Sequence, residues 1–474
     1  MTSCVSATQL NESITADGNL LTEENDDFTS LANEIENTQK NEIKLTKDYV
    51  YNPDGDEKYC EGILIKMDNL IIDGQGHEIN AKKQSRVFNI QANNIILKNL
   101  NIINGFSDAN GGSIYWSGSN GTIINSVFKN SYSPNCGGAV FFKSTGKISN
   151  SIFENNLAVF GGAADFEETG TVINSKFMNN HATYLGGALS FYEISSVKNC
   201  LFENNKASDG GGIYTSRSIT VDNSNFTNNY AIGYGGAITG DETTTITRSY
   251  FMNNTGKYAG ALYFKQDGNI ENSIFTQNSA DLGGAITHLG NNINIKSSEF
   301  NHNGAQKGKS LYSESKSVEI ENIIFNNFPS VYSQELYINS KSNILTNLSF
   351  NNITIEDLNK LKDDSEINGN VKHVTSTKKI IKKATSIAAK SKTFKSSKKV
   401  KKFTVSLKSL NNPLKNKKII LKVNGKKYNK KTNAKGRIIF KLKMTRKGKF
   451  KVKISFSGDE QYKSSKRNVW IKIK

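Results

Sequence analysis

A repeat of 24 or 25 residues organises most of this chain. Phenylalanines recur at that spacing, and each follows a branched aliphatic residue by five positions. The phenylalanines stand at positions 128, 153, 177, 202, 226, 251, 275, 300, 325 and 350. Nine of the ten aliphatic residues are β-branched, a side-chain type that favours strands over helices. The repeat therefore predicts a short strand at the same place in every copy.

A second strand signal follows a glycine pair in each copy. The second glycine of the pair, or its equivalent, falls at positions 112, 138, 162, 187, 212, 236, 260 and 284. Apolar residues then alternate, as at Leu189 and Phe191, which is the period of a strand. Coils stacked about 4.8 Å apart would pair each backbone with its neighbours and place like side chains together. We therefore predict an all-β fold: a right-handed, single-stranded parallel β-helix.

Asparagine occupies fixed positions in this repeat. It stands three residues before the phenylalanine in eight of ten copies, from Asn125 to Asn347. Identical amide side chains in stacked coils can exchange hydrogen bonds along the stack. The asparagines are therefore predicted to form ladders that hold neighbouring coils in register.

The pattern changes at the N-terminal end of the chain. Residues 1–27 are predicted to be a disordered signal remnant, because the small residues ending at Ala7 resemble the end of a secretory signal without its apolar segment. The true start is then expected upstream, and an ordinary N-terminus remains the alternative. Phe28, Leu31 and Ile35 lie on one face of a predicted helix that caps the β-helix over 28–355.

The pattern changes again at the C-terminal end. Residues 356–402 are predicted to be a Lys-rich linker. Over 403–474, apolar residues alternate with polar ones, mostly lysine, and Asn424-Gly425 has the composition of a hairpin turn. These features predict a small, basic β-sandwich of the Ig-like type.

Charge separates the two parts of the chain. The net charge is +18, but residues 371–474 contain 35 Lys/Arg and 2 Asp/Glu, which is +33 and leaves −15 for the first 370 residues. The basic residues alternate along strands without base-stacking aromatics between them. An anionic cell-wall polymer is therefore the predicted partner of this end, and nucleic acid is not.

Several other chemistries lack a sequence signal. The four cysteines have no paired spacing, so neither a disulfide framework nor a metal site is predicted. The segment NPDGDEKYC (52–60) has the oxygen density of a calcium loop without EF-hand spacing, and we interpret it as a turn. No stretch of 18 apolar residues occurs, so we expect no membrane span. We predict a monomer without a cofactor.

One column of the repeat is a candidate ligand-binding surface. The residue three positions after the second glycine is expected to point outward. The column reads Tyr115, Phe141, Asp165, Ser190, Thr215, Thr239, Tyr263 and Thr287, with Tyr312 in the equivalent position. Exposed aromatic rings could stack on sugar rings or meet a partner protein, so the four aromatic members are the predicted ligand contacts. Strand propensity alone is the alternative explanation.

A carbohydrate-active enzyme is the alternative function, because β-helices also carry polysaccharide lyases and hydrolases. Such a site needs clustered carboxylates on adjacent coils. Asp165, Glu167 and Glu168 form one acidic patch without a basic neighbour in sequence, and GQGH (74–77) fits a turn in the opening coil. We assign no catalytic residue. A groove with two carboxylates within one coil of each other would favour the enzyme, whereas a flat surface would favour adhesion.

Two sequence motifs resemble known surface proteins. GGA followed by Ile, Leu or Val, together with FxxN as at Phe153–Asn156, resembles the repeat pair of chlamydial polymorphic outer-membrane proteins. The layout, with IDGQGHEI (72–79) before the repeats and TNAKG (432–436) and GDEQY (458–462) after them, resembles adhesin-like proteins of methanogenic archaea. The resemblance implies a secreted cell-surface protein that takes part in adhesion or in contact with other cells. We therefore predict a non-enzymatic protein that binds glycans or proteins of other cells. The basic Ig-like domain would then face the cell wall.

Overall fold

The computed structural model describes residues 26–326, 336–340, 342–351, 370–371, 383–397, 399–410, 412–459 and 461–474. The predicted signal remnant, apart from its last two residues, and much of the predicted linker lie outside these residues. The chain divides into two units, residues 1–376 and 377–474. No helix among the described residues has the length and apolar character needed to cross a bilayer.

The first unit is a parallel β-helix, as predicted. Three long parallel sheets run along it, and each coil contributes one short strand to each. The sheet that contains the repeated aliphatic residues, called the Ile sheet, has 14 strands: Glu42–Lys44, Ile71–Asp73, Ile96–Lys98, Gly121–Ile124, Gly146–Ser149, Gly170–Ile173, Ser195–Lys198, Ile219–Asp222, Thr244–Thr247, Gly268–Glu271, Asn292–Lys296, Ser317–Glu321, Ser342–Thr346 and Asn370–Val371.

The other two long sheets contain the phenylalanines and the residues after the glycine pairs. The Phe sheet has 13 strands: Tyr49–Val50, Glu78–Asn80, Asn101–Ile103, Val127–Lys129, Ile152–Glu154, Lys176–Met178, Leu201–Glu203, Asn225–Thr227, Tyr250–Met252, Ile274–Thr276, Glu299–Asn301, Ile324–Asn326 and Ser349–Asn351. The GG sheet has 12 strands: Ile63–Ile65, Phe88–Ile90, Ile114–Trp116, Val140–Phe142, Ala164–Phe166, Leu189–Phe191, Ile213–Thr215, Ile238–Gly240, Leu262–Phe264, Ile286–His288, Leu311–Ser313 and Leu336–Ile338.

A fourth, smaller sheet lies in the part of each coil between the Phe sheet and the GG sheet. We call this part of the coil the cover segment; it runs from the residue after the FxxN asparagine to the glycine pair. Its four strands are Leu157–Phe160, His181–Leu185, Lys206–Ala207 and Tyr230–Ala231. Isolated parallel bridges extend the same pairing to Phe106 at one end and Gly304 at the other.

The repeated phenylalanines from Phe128 to Phe325 form one interior row. Phe202 is fully buried, and its ring centroid lies 5.0 Å from that of Phe177 and 4.6 Å from that of Phe226. The planes of the last pair differ by 1°, so the rings stack face to face with an offset set by the strand spacing. The predicted alignment of like residues in successive coils is confirmed.

Asparagines make the corners on both sides of most Phe strands. Asn199 and Asn204, which flank Leu201–Glu203, have φ of 55° and 57°. Asparagine tolerates this left-handed backbone better than other non-glycine residues, because its short amide can bond locally. Asn199 Nδ2 also donates to Asn174 Oδ1 at 3.0 Å, which confirms the predicted amide ladder.

A second asparagine ladder is buried at the start of the cover segment. Asn205, the last residue of its FxxN motif, is fully buried. Its Nδ2 donates to Phe177 O and to Asn229 Oδ1, each at 3.0 Å, while its Oδ1 accepts from the backbone N and Nδ2 of Asn180. Buried amides must be paired, and here each one pairs with the coils before and after it.

One coil differs by one residue from the alignment based on spacing alone. A run of three glycines at 210–212 makes the pair ambiguous, and spacing predicted Gly212 as its second member and Thr215 in the column three residues later. In the structure Tyr214 pairs with Ser190 of the preceding coil. Gly211 is therefore the second glycine, and Tyr214 replaces Thr215 in that column.

The helix Phe28–Glu36 packs Phe28, Leu31 and Ile35 into the core, as predicted for a cap. Asp27 accepts from the backbone N of Ser30 as the N-cap. The Asp56 carboxylate is fully buried and accepts from the backbone N of Phe28 at 3.0 Å. The segment 52–60, which has the composition of a calcium loop, therefore anchors the cap. Its Asp56 carboxylate is buried, whereas the side chains of a simple surface turn would be solvated. A 3-10 helix at Glu57–Tyr59 follows it.

The second unit is a small, mostly antiparallel β domain with its own core. One sheet contains Ser386–Ala388, Lys401–Ser409, Asn412–Pro413 and Arg437–Leu442. The other contains, in spatial order, Lys392–Phe394, Ser465–Ile473, Gly448–Phe456, Lys418–Val423 and Lys426–Lys431. Ile387 and Phe394 are buried in this core. Both lie within the predicted linker 356–402, so the sheets begin before residue 403; the Ig-like assignment stays a prediction.

Candidate binding surface

The four predicted ligand contacts lie on the outer side of the GG sheet, but most of them are covered. Tyr115 is partly buried, whereas Phe141, Tyr263 and Tyr312 are 1%, 5% and 9% exposed. The expectation that this column is an open surface is wrong for those three residues. Contact with a ligand stays a prediction for all four.

The cover segment explains this burial. The ring centroid of Tyr234, in the cover segment, lies 4.5 Å from that of Tyr263. The hydroxyl of Thr239 donates to Tyr234 O at 2.8 Å, and the same contact joins Thr287 to Leu282 O at 3.0 Å. The chain thus folds back over the outer side of the GG sheet before it enters the strand. Alternation within a strand identifies the outer side but not what covers it.

The structure brings only two of the four predicted aromatic residues, Tyr115 and Phe141, together. Tyr115 stacks on Phe141 with centroids 5.5 Å apart, and Tyr312 stacks on Tyr337 at 4.6 Å. Burial raises the pKa of Tyr263 to about 12, with added repulsion from neighbouring groups such as Asp241. Tyr263 therefore packs between the GG sheet and the cover segment, whereas the other two contacts join rings within the GG sheet.

Exposed rings occur instead on the cover segment itself. We call the aromatic residues of the cover segment the aromatic strip: Tyr132, Tyr184 and Tyr230 are exposed, and Phe106, Phe160, Tyr234 and Tyr258 are partly buried. Tyr184 is 52% exposed and Tyr230 is 42% exposed, and Ile232, two residues after Tyr230, is also exposed. The strip follows the cover segments, which pair in parallel, but the coil between Tyr184 and Tyr230 has no ring at residues 206–209.

Contacts within the strip hold its rings in place. Phe106 and Tyr132 stack with centroids 5.9 Å apart, and Tyr184 meets Phe160 edge-on at 5.7 Å. Lys206 Nζ lies 5.7 Å from the centroid of Tyr230. Fixed rings with one open face can stack on a sugar ring or pack against a partner protein at little entropic cost.

A sequence signal for this strip exists. Tyr230 follows the FxxN asparagine directly, and Tyr132 follows the equivalent Ser131. Most rings of the strip fall in two columns: Phe106, Tyr132 and Tyr230 directly follow the FxxN position, whereas Phe160, Tyr234 and Tyr258 stand two residues before the second glycine. The sequence prediction considered only the residues after the glycine pair and therefore missed these rings.

The three residues of the predicted acidic patch differ in burial. Asp165 is fully buried between the GG sheet and the cover segment, while Glu167 and Glu168 are exposed. Ser190 Oγ donates to Asp165 Oδ2, and Asp165 Oδ1 has no hydrogen-bond partner within the described residues. Burial raises the pKa of this carboxyl to about 8, and nearby Glu167 adds to the shift.

Two adjoining depressions lie where each coil turns from the GG sheet to the Ile sheet. Their volumes are about 620 and 470 Å³, and Gln266 and Asn291 line both. Asp241 and Glu242 line the smaller one from a single coil, together with Asp267 of the next coil. We call these depressions the corner groove. The condition set for the enzyme alternative, two carboxylates within one coil in a groove, is therefore met.

Each carboxylate of the corner groove already has a partner. Asp241 accepts from the hydroxyl of Tyr214 at 2.9 Å and lies 2.7 Å from Lys265 Nζ. Glu242 lies 2.6 Å from Arg217 Nη1. Asp267 accepts from the backbone N of Asn292 at 3.0 Å. Asp241 and Glu242 are thus held by ion pairs, and Asp267 is held by a hydrogen bond to the next coil.

The motif GQGH also has a structural explanation. Its His77 Nδ1 lies 3.0 Å from Asp48 Oδ1, and Gln75 and Gly76 adopt left-handed φ of 51° and 96°. The segment is a tight turn of the opening coil, as predicted from sequence.

Comparison with known proteins gives one local match. Residues 199–216 match the Chlamydia polymorphic membrane protein (Chlamydia_PMP) repeat. This stretch runs from the corner residue Asn199 through Phe202 and the glycine run to the GG strand, so it covers most of one coil. No curated protein matches the chain significantly. The similarity supports the repeat type of the β-helix.

Proposed function

We propose that this chain is an adhesin-like cell-surface protein whose β-helix binds glycans or surface proteins of other cells without catalysis. The observation that carries the proposal is the aromatic strip, in which the rings of Tyr132, Tyr184 and Tyr230 are exposed. The match to the Chlamydia polymorphic membrane protein repeat also supports the proposal, because the name of that repeat refers to membrane proteins. An extracellular location, a monomeric state and a wall-facing basic domain are parts of the same proposal.

Replacing Tyr184 and Tyr230 with serine is expected to weaken binding about tenfold or more, because each lost ring contact contributes roughly 0.5–1.5 kcal/mol beyond its area. Binding of purified protein to a glycan array and to whole cells measures this effect. The matched control replaces Met67 and Ile194, which are also exposed apolar residues, with serine. Equal binding by both double variants would remove the aromatic strip as the binding surface.

A carbohydrate-active enzyme is the second candidate, favoured by the carboxylates of the corner groove. We expect wild-type protein to release no reducing ends from a panel of acidic and neutral polysaccharides, because the groove carboxylates are ion-paired or hydrogen-bonded. The control is the Asp241→Asn variant under identical conditions. Turnover by the wild type that disappears in this variant would establish the enzyme instead.

A further inference from the structure

Lysines occupy the outward face of the five-stranded sheet in the C-terminal unit. Lys449, Lys451 and Lys453 alternate with inward residues along the middle strand and are exposed. Lys472 pairs with Lys449 on one neighbouring strand, and Lys422 pairs with Lys453 on the other. Lysines on adjacent strands therefore face each other across the sheet.

Repulsion between these lysines is destabilising, and no carboxylate among the described residues offsets it. Like charges directly opposite each other on neighbouring strands are destabilising. The ion pair between Lys417 and Asp459 in this unit involves none of these cross-strand lysines. Among the described residues, no carboxylate neutralises the face. A bound polyanion would replace the repulsion between these lysines with attraction.

The spacing of the charges suits a linear polymer. Alternate residues on one strand lie about 6.8 Å apart, and neighbouring strands lie about 4.8 Å apart. The lysines therefore form rows at intervals comparable with the length of one sugar unit. A polymer with one charge per unit or per two units could meet several ammonium groups at once.

Trp470 adds a ring to this charged face. It pairs with Lys451, is 42% exposed, and its centroid lies 4.8 Å from Lys449 Nζ. A flat, open indole can stack on the C–H face of a sugar. A single ring does not provide the succession of aromatic residues on which single-stranded nucleic acids stack. The charged positions named here are lysines, which lack the planar fork that arginine offers to base edges.

We infer that this face binds a linear anionic polysaccharide, with the lysines meeting its carboxylate, sulfate or phosphate groups and Trp470 stacking on a sugar ring. The inference deepens the proposed function, since it names the polymer class and the residues for the wall-facing end. It does not depend on the aromatic strip of the β-helix.

The test compares two triple variants of the full chain. K449Q/K451Q/K453Q removes three charges from the proposed face, and K402Q/K408Q/K441Q removes three exposed charges from the other sheet of the same domain. We expect the first to weaken binding to heparin and polygalacturonate about tenfold in 0.1 M salt, from three lost surface ion contacts, and the second to have a much smaller effect. Equal losses would show attraction by net charge alone and overturn the inference.

Two further comparisons identify the polymer. Trp470→Ser should weaken binding to polygalacturonate several-fold but not binding to polyphosphate, which has charge without sugar rings; the control is Ile439→Ser, an exposed apolar residue of the other sheet. Tighter binding to single-stranded DNA than to either polysaccharide would overturn the inference in favour of nucleic acid. Cell binding through Tyr184 and Tyr230 is scored separately, so failure here and failure of the proposed function give different results.

Discussion

Phe202→Ala is expected to lower the free energy of unfolding by about 3–5 kcal/mol, the usual cost of truncating a buried phenylalanine. The side chain is fully buried and stacks on the rings of Phe177 and Phe226. Removing it opens a cavity that the neighbouring coils cannot fill, because the main-chain pairing on both sides fixes their separation. The loss should appear in urea unfolding followed by circular dichroism.

The control for this prediction is Tyr184→Ala, which removes an aromatic side chain that is half-exposed on the aromatic strip. We expect its effect to stay within about 0.5 kcal/mol, as for most surface substitutions. Similar small losses in both variants would mean that Phe202 is not in a packed interior row.

Asp165→Asn is expected to stabilise the protein by a few kcal/mol at pH 8, since a tenfold change in a proton-binding constant corresponds to about 1.4 kcal/mol. The folded pKa is about 8, above the ordinary value of 3.8, because burial disfavours the charged form. Above pH 4 the unfolded chain has released the proton and the folded chain still holds it. Stability from this group therefore falls as the pH rises from about 4 to about 8.

The amide of the variant matches the neutral carboxyl in shape and does not titrate, so this pH dependence should disappear. At pH 4 the two proteins should be nearly equal in stability. Thermal unfolding between pH 4 and pH 8 measures the difference, and Glu167→Gln, at an exposed carboxyl on the same coil, is the control. A difference that is constant with pH, or one that grows toward pH 4, would contradict the assigned burial of Asp165.

The repeat spacing predicted the β-helix because every coil places the same structural requirements on the same positions. A residue such as Phe202 recurs wherever an interior position recurs, and Asn199 recurs where the corner needs a left-handed backbone. The sequence predicted the ladder that these asparagines form. It did not reveal that the left-handed backbone of the corner is a second reason for their recurrence. Arg248 and Ser297, which occupy the same corner with φ of 53° and 51°, show that the backbone requirement can be met without the amide.

The binding surface was less predictable because exposure depends on what a neighbouring segment covers. Alternation correctly places Phe141 and Tyr263 on the outer side of their strands, yet the cover segment buries that side. The two-residue strands of this segment, such as Tyr230–Ala231, are too short to produce a periodic pattern. In the C-terminal unit, similarly, Phe394 lies in a three-residue strand among lysines, and its composition suggested a linker.

The assignments made for the β-helix depend on residues one repeat apart lying directly above one another. Spin-label distances test this most directly, with labels at Lys147 and either Thr245 or Asn294 in a chain whose native cysteines are replaced. These positions are register partners four and six coils apart on the Ile sheet. Pulsed electron resonance should give distances of about 19 and 29 Å, or about 4.8 Å per coil apart from the reach of the labels. Distances that do not increase with the number of coils would contradict the stacked arrangement and the binding surface built on it.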